Sequence, residues 1–230
     1  MRVLPVVPAF EAARSVGDVV SGLKAAWPVD APIIVVDDGS RDDTSAQAER
    51  AGAVVLRHAR NLGKGAALLT GFRRALELGV DAVVSVDADG QHPPAEAARL
   101  ATWDAPREAL VLGIRDLAVA GAPKANQTSN AISNFFLSTF ARRRLADTQC
   151  GLRRYPLPQT LDLDVGGRGY SFEAEALLRA ARAGWRIDEV PIRVVYPPED
   201  QRVTHFKAVR DPARIVVRVL ATLATTRSRT

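Results

Sequence analysis

The chain holds one cysteine, Cys150, so it cannot close an internal disulfide, and such a sequence suits a reducing compartment. It has no run of about 18 uncharged apolar residues, the length that a membrane-crossing helix needs. The apolar opening from Met1 to Val7 is too short for a signal-peptide core, and Glu11 soon follows, so a cytoplasmic location is expected. Several nucleotide and nucleophile motifs are absent. Asn61-Leu62-Gly63-Lys64-Gly65 has Gly after its lysine where a phosphate-binding P-loop needs Ser or Thr. The first strand–helix turn, Pro8 to Arg14, has no glycine and therefore no dinucleotide fingerprint. Three histidines leave a Ser-His-Asp triad open, but no Gly-x-Ser-x-Gly elbow accompanies them. These gaps remove dehydrogenases and P-loop ATPases. Lysine is also scarce: almost all of the 31 basic residues are arginine, a bias that by itself accounts for part of the chain's positive charge.

What is present is an ordinary globular composition, 47% hydrophobic and 25% charged, in 230 residues, which suits one α/β domain. Strand patterns cover residues 2–8, 31–36, 53–57, 81–86 and 109–114, with two more at 151–155 and 185–196. Helical patterns cover 15–26, about 42–51, 63–78, 127–144 and 171–183. Strands alternating with helices at this spacing predict a doubly wound, mostly parallel sheet flanked by helices. Ligands in such sheets sit at the carboxyl ends of the strands. Three polar clusters fall at successive strand ends: Asp37-Asp38, Asn61 to Gly65, and Asp87 to Gln91.

The last of these, Asp87-Ala88-Asp89-Gly90-Gln91-His92-Pro93-Pro94, follows a β-branched run. Two carboxylates one residue apart at a rigid strand tip repel each other unless a cation or a shared proton intervenes. A hard divalent ion, Mg²⁺ or Mn²⁺, completed by substrate phosphates, relieves that repulsion; a solvated loop is the plainer alternative. The Pro pair is read as a stop to further regular structure. Asp87 to Gly90 also resembles the aspartyl-phosphate phosphatase motif. That motif belongs on a first strand and precedes Thr or Val, whereas here it follows the fourth strand and precedes Gln91. An EF-hand fails for want of later ligands. Lys64 at a helix start is a phosphate contact or a surface lysine. His92 is a ligand, a support for one, or local packing. His205, among cations, is the better candidate for a phosphate.

From position 201 the chain carries seven cations against one anion, net +6, which leaves −1 for the remainder of a +5 chain. Arg210, Arg214 and Arg218 form one helical stripe, and Ile215, Val219 and Leu223 form another. That pattern reads as an amphipathic helix suited to an anionic bilayer, or as a helix packed on its own domain with a charged outer face.

Taken together, Ile33 to Ser40 (IIVVDDGS), Asn61 to Gly65 (NLGKG), Asp87 to Pro94 (DADGQHPP), Asp147 to Arg153 (DTQCGLR) and Phe172 to Glu175 (FEAE) resemble the family 2 glycosyltransferases of the GT-A fold. Within that family the chain is most similar to the polyprenyl-phosphate (dolichyl-phosphate) mannose and glucose synthases, from Val6 to about Arg214. The resemblance implies a single domain over 1–230. Its nucleotide-sugar half would be about 1–115, its acceptor half about 116–200, and its basic tail about 201–230.

The implied activity is inverting transfer of a hexose from a UDP- or GDP-sugar to an acceptor, with Mg²⁺ or Mn²⁺, at the cytoplasmic face of a membrane and without nucleic acid. By the same resemblance Pro8, Glu11 and Asp38 contact the nucleoside with Asp37 beside them, while Lys64 and Ala88 lie near the nucleotide. Asp87, Asp89 and Gln91 hold the ion, Asp89 is catalytic, and Arg115 approaches a donor or acceptor phosphate. A polyprenyl phosphate acceptor, gripped by Arg202, His205 and Lys207, is already anionic and needs no base. A hydroxyl acceptor needs one, with Asp147 the first candidate and Glu175 the second. A nucleotide-sugar-binding subunit without turnover is the alternative of another class. The chain departs from the family at Phe10-Glu11-Ala12, where aromatic-Asn-Glu is usual. It departs again at Thr204 and Phe206 in the tail motif, and at Lys124, where relatives often carry Arg.

Overall fold

A computed structural model describes residues 1–166, 169 and 171–196. The tail residues Arg202, His205, Lys207, Arg210, Arg214 and Arg218 therefore lie outside the described residues, as does the expected tail helix. The elements run β1 (Val3–Ala9), α1 (Val16–Ala26), β2 (Ile34–Asp37), α2 (Thr44–Arg50), β3 (Val54–Arg57), α3 (Lys64–Glu77) and β4 (Ala82–Ser85). They continue as α4 (Pro94–Ala101), β5 (Leu110–Arg115), α5 (Lys124–Ala141), β6 (Arg153–Pro156), α6 (Gln159–Asp162), α7 (Ser171–Arg182) and β7 (Ile187–Ile192).

The seven strands form one sheet in the order β3-β2-β1-β4-β6-β5-β7. All pairings are parallel except those of β6, which runs antiparallel to both β4 and β5. This is the mixed, mostly parallel sheet that the strand–helix alternation predicts. Strand β1 is buried throughout, and its side chains divide by the two-residue period of a strand. Leu4 and Val6 join Phe72 of α3 and Phe172 and Leu177 of α7 on one face. Val3 and Val7 join Val20 and Leu23 of α1 and Leu100 of α4 on the other.

Two expectations needed correction. Pro93-Pro94 does not end regular structure: Pro93 caps α4 and Pro94 opens it. Proline suits that position because its missing N–H would have no partner in the first helical turn anyway. Helix α5 starts and ends three residues earlier than 127–144, with Arg142 in the left-handed conformation at its end (φ 53°). The Arg142–Arg144 run thus lies past the helix, where the Arg143 guanidinium donates to the Ile187 carbonyl at 3.1 Å.

Candidate active site

The carboxyl ends of β1, β2 and β4 meet the segment leading into β6, and Lys64, Asp87 and Gly151 come together there. The turn after β2 is held by its own carboxylates. Asp37 is fully buried and accepts from the Ser40 amide at 2.9 Å and from the Ser45 hydroxyl. Asp38 accepts from the amides of Leu62 (2.9 Å) and Gly63 (2.7 Å) and lies 2.7 Å from His58 Nδ1. Gly39 makes the turn possible at φ +76°, and a Cβ there would stand 2.4 Å from the Arg60 carbonyl carbon. Asp38 therefore fixes the loop that delivers Lys64, and its carboxylate faces that loop. The chain after β1 is stitched to the same turn: the Glu11 amide donates to Ser40 Oγ at 2.8 Å and the Ala12 amide to Thr44 Oγ1 at 2.8 Å. Pro8 is buried in β1, while Glu11 is exposed and held at φ 50°.

At the tip of β4, Asp87 is one-quarter exposed and Asp89 is open to solvent. The Ala88 carbonyl accepts from Ser15 Oγ at 2.6 Å, and the Gln91 amide donates to Asp89 Oδ1 at 2.9 Å. Lys64, at the start of α3, places its Nζ 2.5 Å from Asp87 Oδ1 and 2.8 Å from Glu173 Oε1. Burial acts to strip the lysine of its proton, but the Asp87 and Glu173 charges outweigh it and hold the ammonium well above its ordinary range. Burial likewise raises Asp87, yet the Lys64 charge outweighs it and brings the carboxyl below its usual range. His92 is buried with Nδ1 4.0 Å from Asp87 Oδ2, and burial pulls it down to about 4, so the ring is neutral near pH 7.

These residues fit a hard divalent cation. Their donors are oxygens, a cation (the Lys64 ammonium) already sits against Asp87, and the carboxylate rests on Gly151, where a Cβ would occupy its space. No group of three or more carboxylate, imidazole or thiol side chains gathers at one point among the described residues.

Arg115, at the end of β5, and Asp147 form a second cluster. The guanidinium meets the carboxylate through Nε (2.7 Å) and Nη2 (3.1 Å), and the amides of Arg115, Gln149 and Cys150 donate to the same two oxygens. Asp147 has no exposed surface. Arg115 Nη1 has no hydrogen-bond partner among the described residues, and the residue lines a cavity of about 420 Å³ with Asp116, Gln127, Asn130 and Asn134. Asn130 Oδ1 is buried there with no hydrogen-bond partner among the described residues.

Glu175 stands apart from both clusters. It is fully buried, pairs with Arg179 at 2.8 Å, and takes a long contact from the Gly166 amide at 3.4 Å. The acidic residue of FEAE that reaches the site is Glu173. Sequence reasoning missed it because two glutamates a residue apart on a helix face different ways, and the motif alone does not say which faces inward. Gly151 was missed too, and nothing in the sequence marks it beyond its place in DTQCGLR.

Comparison with known proteins bears on the same residues. A model of "Glycosyl transferase family 2" matches residues 6–174, a span that contains both clusters. An undecaprenyl-phosphate mannosyltransferase of Micrococcus luteus is 36% identical over 209 residues, covering 85% of this chain and 84% of its own. A polyprenol monophosphomannose synthase of Mycolicibacterium smegmatis is 32% identical over 209 residues, covering 83% and 76%. Among solved structures, mannosyl-3-phosphoglycerate synthase from Rubrobacter xylanophilus superposes with a TM-score of 0.71 at 21% identity, covering 97% of this chain and 73% of that one. Glucosyl-3-phosphoglycerate synthase from Mycobacterium tuberculosis, in complex with Mg²⁺ and uridine diphosphate, gives 0.68 at 21%, covering 97% and 78%. The structural likeness establishes the GT-A fold; the family model and the sequence relatives show that the chain belongs to glycosyl transferase family 2.

Proposed function

We propose that this enzyme moves a hexose from a UDP- or GDP-sugar to a polyprenyl phosphate at the cytoplasmic face of a membrane, inverting the anomeric centre in one displacement. One observation carries the choice of acceptor. Both carboxylates that were candidates for a base are fully buried and ion-paired, Asp147 with Arg115 and Glu175 with Arg179. A hydroxyl acceptor needs a carboxylate within hydrogen-bond reach of its proton, whereas a lipid phosphate is an anionic nucleophile already. The relatives named for undecaprenyl phosphate and polyprenol support the same reading.

In this reading Asp87, Asp89 and Gln91 hold Mg²⁺ or Mn²⁺, which would neutralise charge developing on the departing diphosphate. Lys64, held by Asp87 and Glu173, turns its ammonium toward the same diphosphate. Pro8, Glu11 and the backbone at Ala88 line the nucleoside side, and Asp37 and Asp38 keep that edge in shape. Arg115 offers its third nitrogen to a phosphate, and Arg202, His205 and Lys207 grip the acceptor.

A panel of UDP- and GDP-sugars, with Mn²⁺ or Mg²⁺ and with or without polyprenyl phosphate, tests the proposal. Lipid-linked sugar is the expected product. Product on hydroxyl acceptors alone would overturn the acceptor, and donor binding without turnover on any acceptor would overturn the enzyme.

A further inference from the structure

We infer that Gly151 is a positioning residue for Asp87: its missing side chain is the space in which the ion-binding carboxylate sits. This rests on reading Asp87 as a metal ligand. A Cβ built on Gly151 would lie 2.4 Å from Asp87 Oδ2, 2.8 Å from Oδ1 and 2.9 Å from Cγ, where ordinary contact begins at 3.4 Å. Backbone conformation does not explain the glycine, because Gly151 is absent from the residues with positive φ. What excludes a side chain is Asp87.

Nor can the glycine's backbone retreat. Ser85 Oγ, on the strand that carries Asp87, donates to the Gly151 carbonyl at 2.6 Å. Arg153, fully buried, donates to the carbonyls of Cys150 and Thr148 at 2.8 Å and of Glu173 at 2.7 Å. The segment is thus bolted to β4, to its own turn and to α7. A methyl group at 151 relaxes by moving the carboxylate, by about 1 Å if Oδ2 is to regain ordinary contact. Metal sites tolerate only about 0.2 Å in ligand distance, and Mg²⁺ is especially strict about geometry. The displacement exceeds the tolerance several-fold.

The test compares wild type, Asp87→Ala, Gly151→Ala and Gly17→Ala by Mn²⁺ titration with nucleoside diphosphate present, reading free Mn²⁺ by electron paramagnetic resonance. Gly17 is the control, since a Cβ there meets only the Gln47 carbonyl oxygen at 3.7 Å. Asp87→Ala is expected to abolish saturable binding, Gly151→Ala to weaken it at least tenfold, and Gly17→Ala to leave it unchanged. In turnover, Gly151→Ala should raise the KM for metal more than it lowers kcat at saturating metal. If Asp87→Ala binds like wild type, the metal reading itself fails. If Asp87→Ala loses the ion while Gly151→Ala binds within twofold of wild type, the inference about Gly151 is wrong.

A thermal double-mutant cycle gives a readout independent of metal. Gly151→Ala should lower Tm far less in an Asp87→Ala background than in wild type, because the atoms that clash are then gone. Additive losses would overturn the proposal.

Discussion

At the scale of single residues, the site separates groups that handle ligands from groups that hold the frame. Asp147 belongs to the frame: two oxygens with no exposed surface accept from five donors, three of them on Arg115. Removing one partner of a buried pair strands the other charge, at a cost of about 3–5 kcal/mol. Asp147→Asn should therefore lower stability by several kcal/mol in urea titration. Its residual activity should keep the wild-type pH profile, since no proton-accepting group has been lost; a missing acidic limb would restore Asp147 as a base. Glu173 pairs with Lys64, the residue proposed to meet the donor diphosphate. Glu173→Gln should raise the donor KM by about tenfold, the factor that goes with about 1.4 kcal/mol. Glu175→Gln, remote from Lys64, should change melting temperature and leave donor KM unaltered. Cys150 joins neither group. It has no exposed surface, and burial pushes its thiol up to about 12 despite the nearby Arg115 charge. A disulfide exchange reagent at pH 8 should find no reactive thiol in the folded enzyme and one after denaturation.

At the scale of elements, the site depends on how one turn is tied to the next helix. The loop before α3 has no side-chain cap of its own; its Leu62 and Gly63 amides are satisfied from a distance by Asp38, at the end of β2. Asp38→Ala leaves these donors without their acceptor, which costs about 1–3 kcal/mol for each group that stays buried. The variant should melt earlier and bind donor more weakly, because Lys64 is the first residue of the helix that this loop delivers.

The limits of the sequence reading show at this scale as well. Strands β2 and β4 were legible because β-branched runs ended in carboxylates, and strand tips are where ligands gather. Helix α4 was hidden because a Pro pair marks a helix start as readily as a chain break. The Arg115–Asp147 pair spans 32 residues, and local pattern carries no sign of it. The two adjacent arginines of β6 carry no sign of burial either, although both are fully enclosed. Arg153 donates to three backbone carbonyls, and Arg154 reaches those of Leu100 (3.3 Å), in the last turn of α4, and Trp103 (2.8 Å), just past its end.

At the scale of the whole molecule, charge is divided unevenly. No helix among the described residues is long and apolar enough to cross a membrane. The sequence concentrates its net positive charge in one segment. Residues from 201 onward carry net +6 while the remainder carries −1. Each cation near an anionic surface contributes about 1 kcal/mol, so six give at most about 6 kcal/mol, roughly four orders of magnitude in partition. A reach of about 10 Å at 0.1 M salt falls to about 3 Å at 1 M, so an attraction of this origin must weaken steeply with ionic strength. The enzyme should co-sediment with vesicles containing phosphatidylglycerol at low salt, leave them as salt approaches 1 M, and ignore phosphatidylcholine alone. Replacing Arg210, Arg214 and Arg218 by Gln should remove half of the net charge and up to about a hundredfold of that binding. Donor turnover on a short, water-soluble polyprenyl phosphate should persist in the same variant, since the residues proposed to hold ion and donor lie between Pro8 and Glu173. Binding that survives 1 M salt, or that is equal on neutral vesicles, would place the attraction in apolar contact and remove the electrostatic account of how the enzyme meets its lipid.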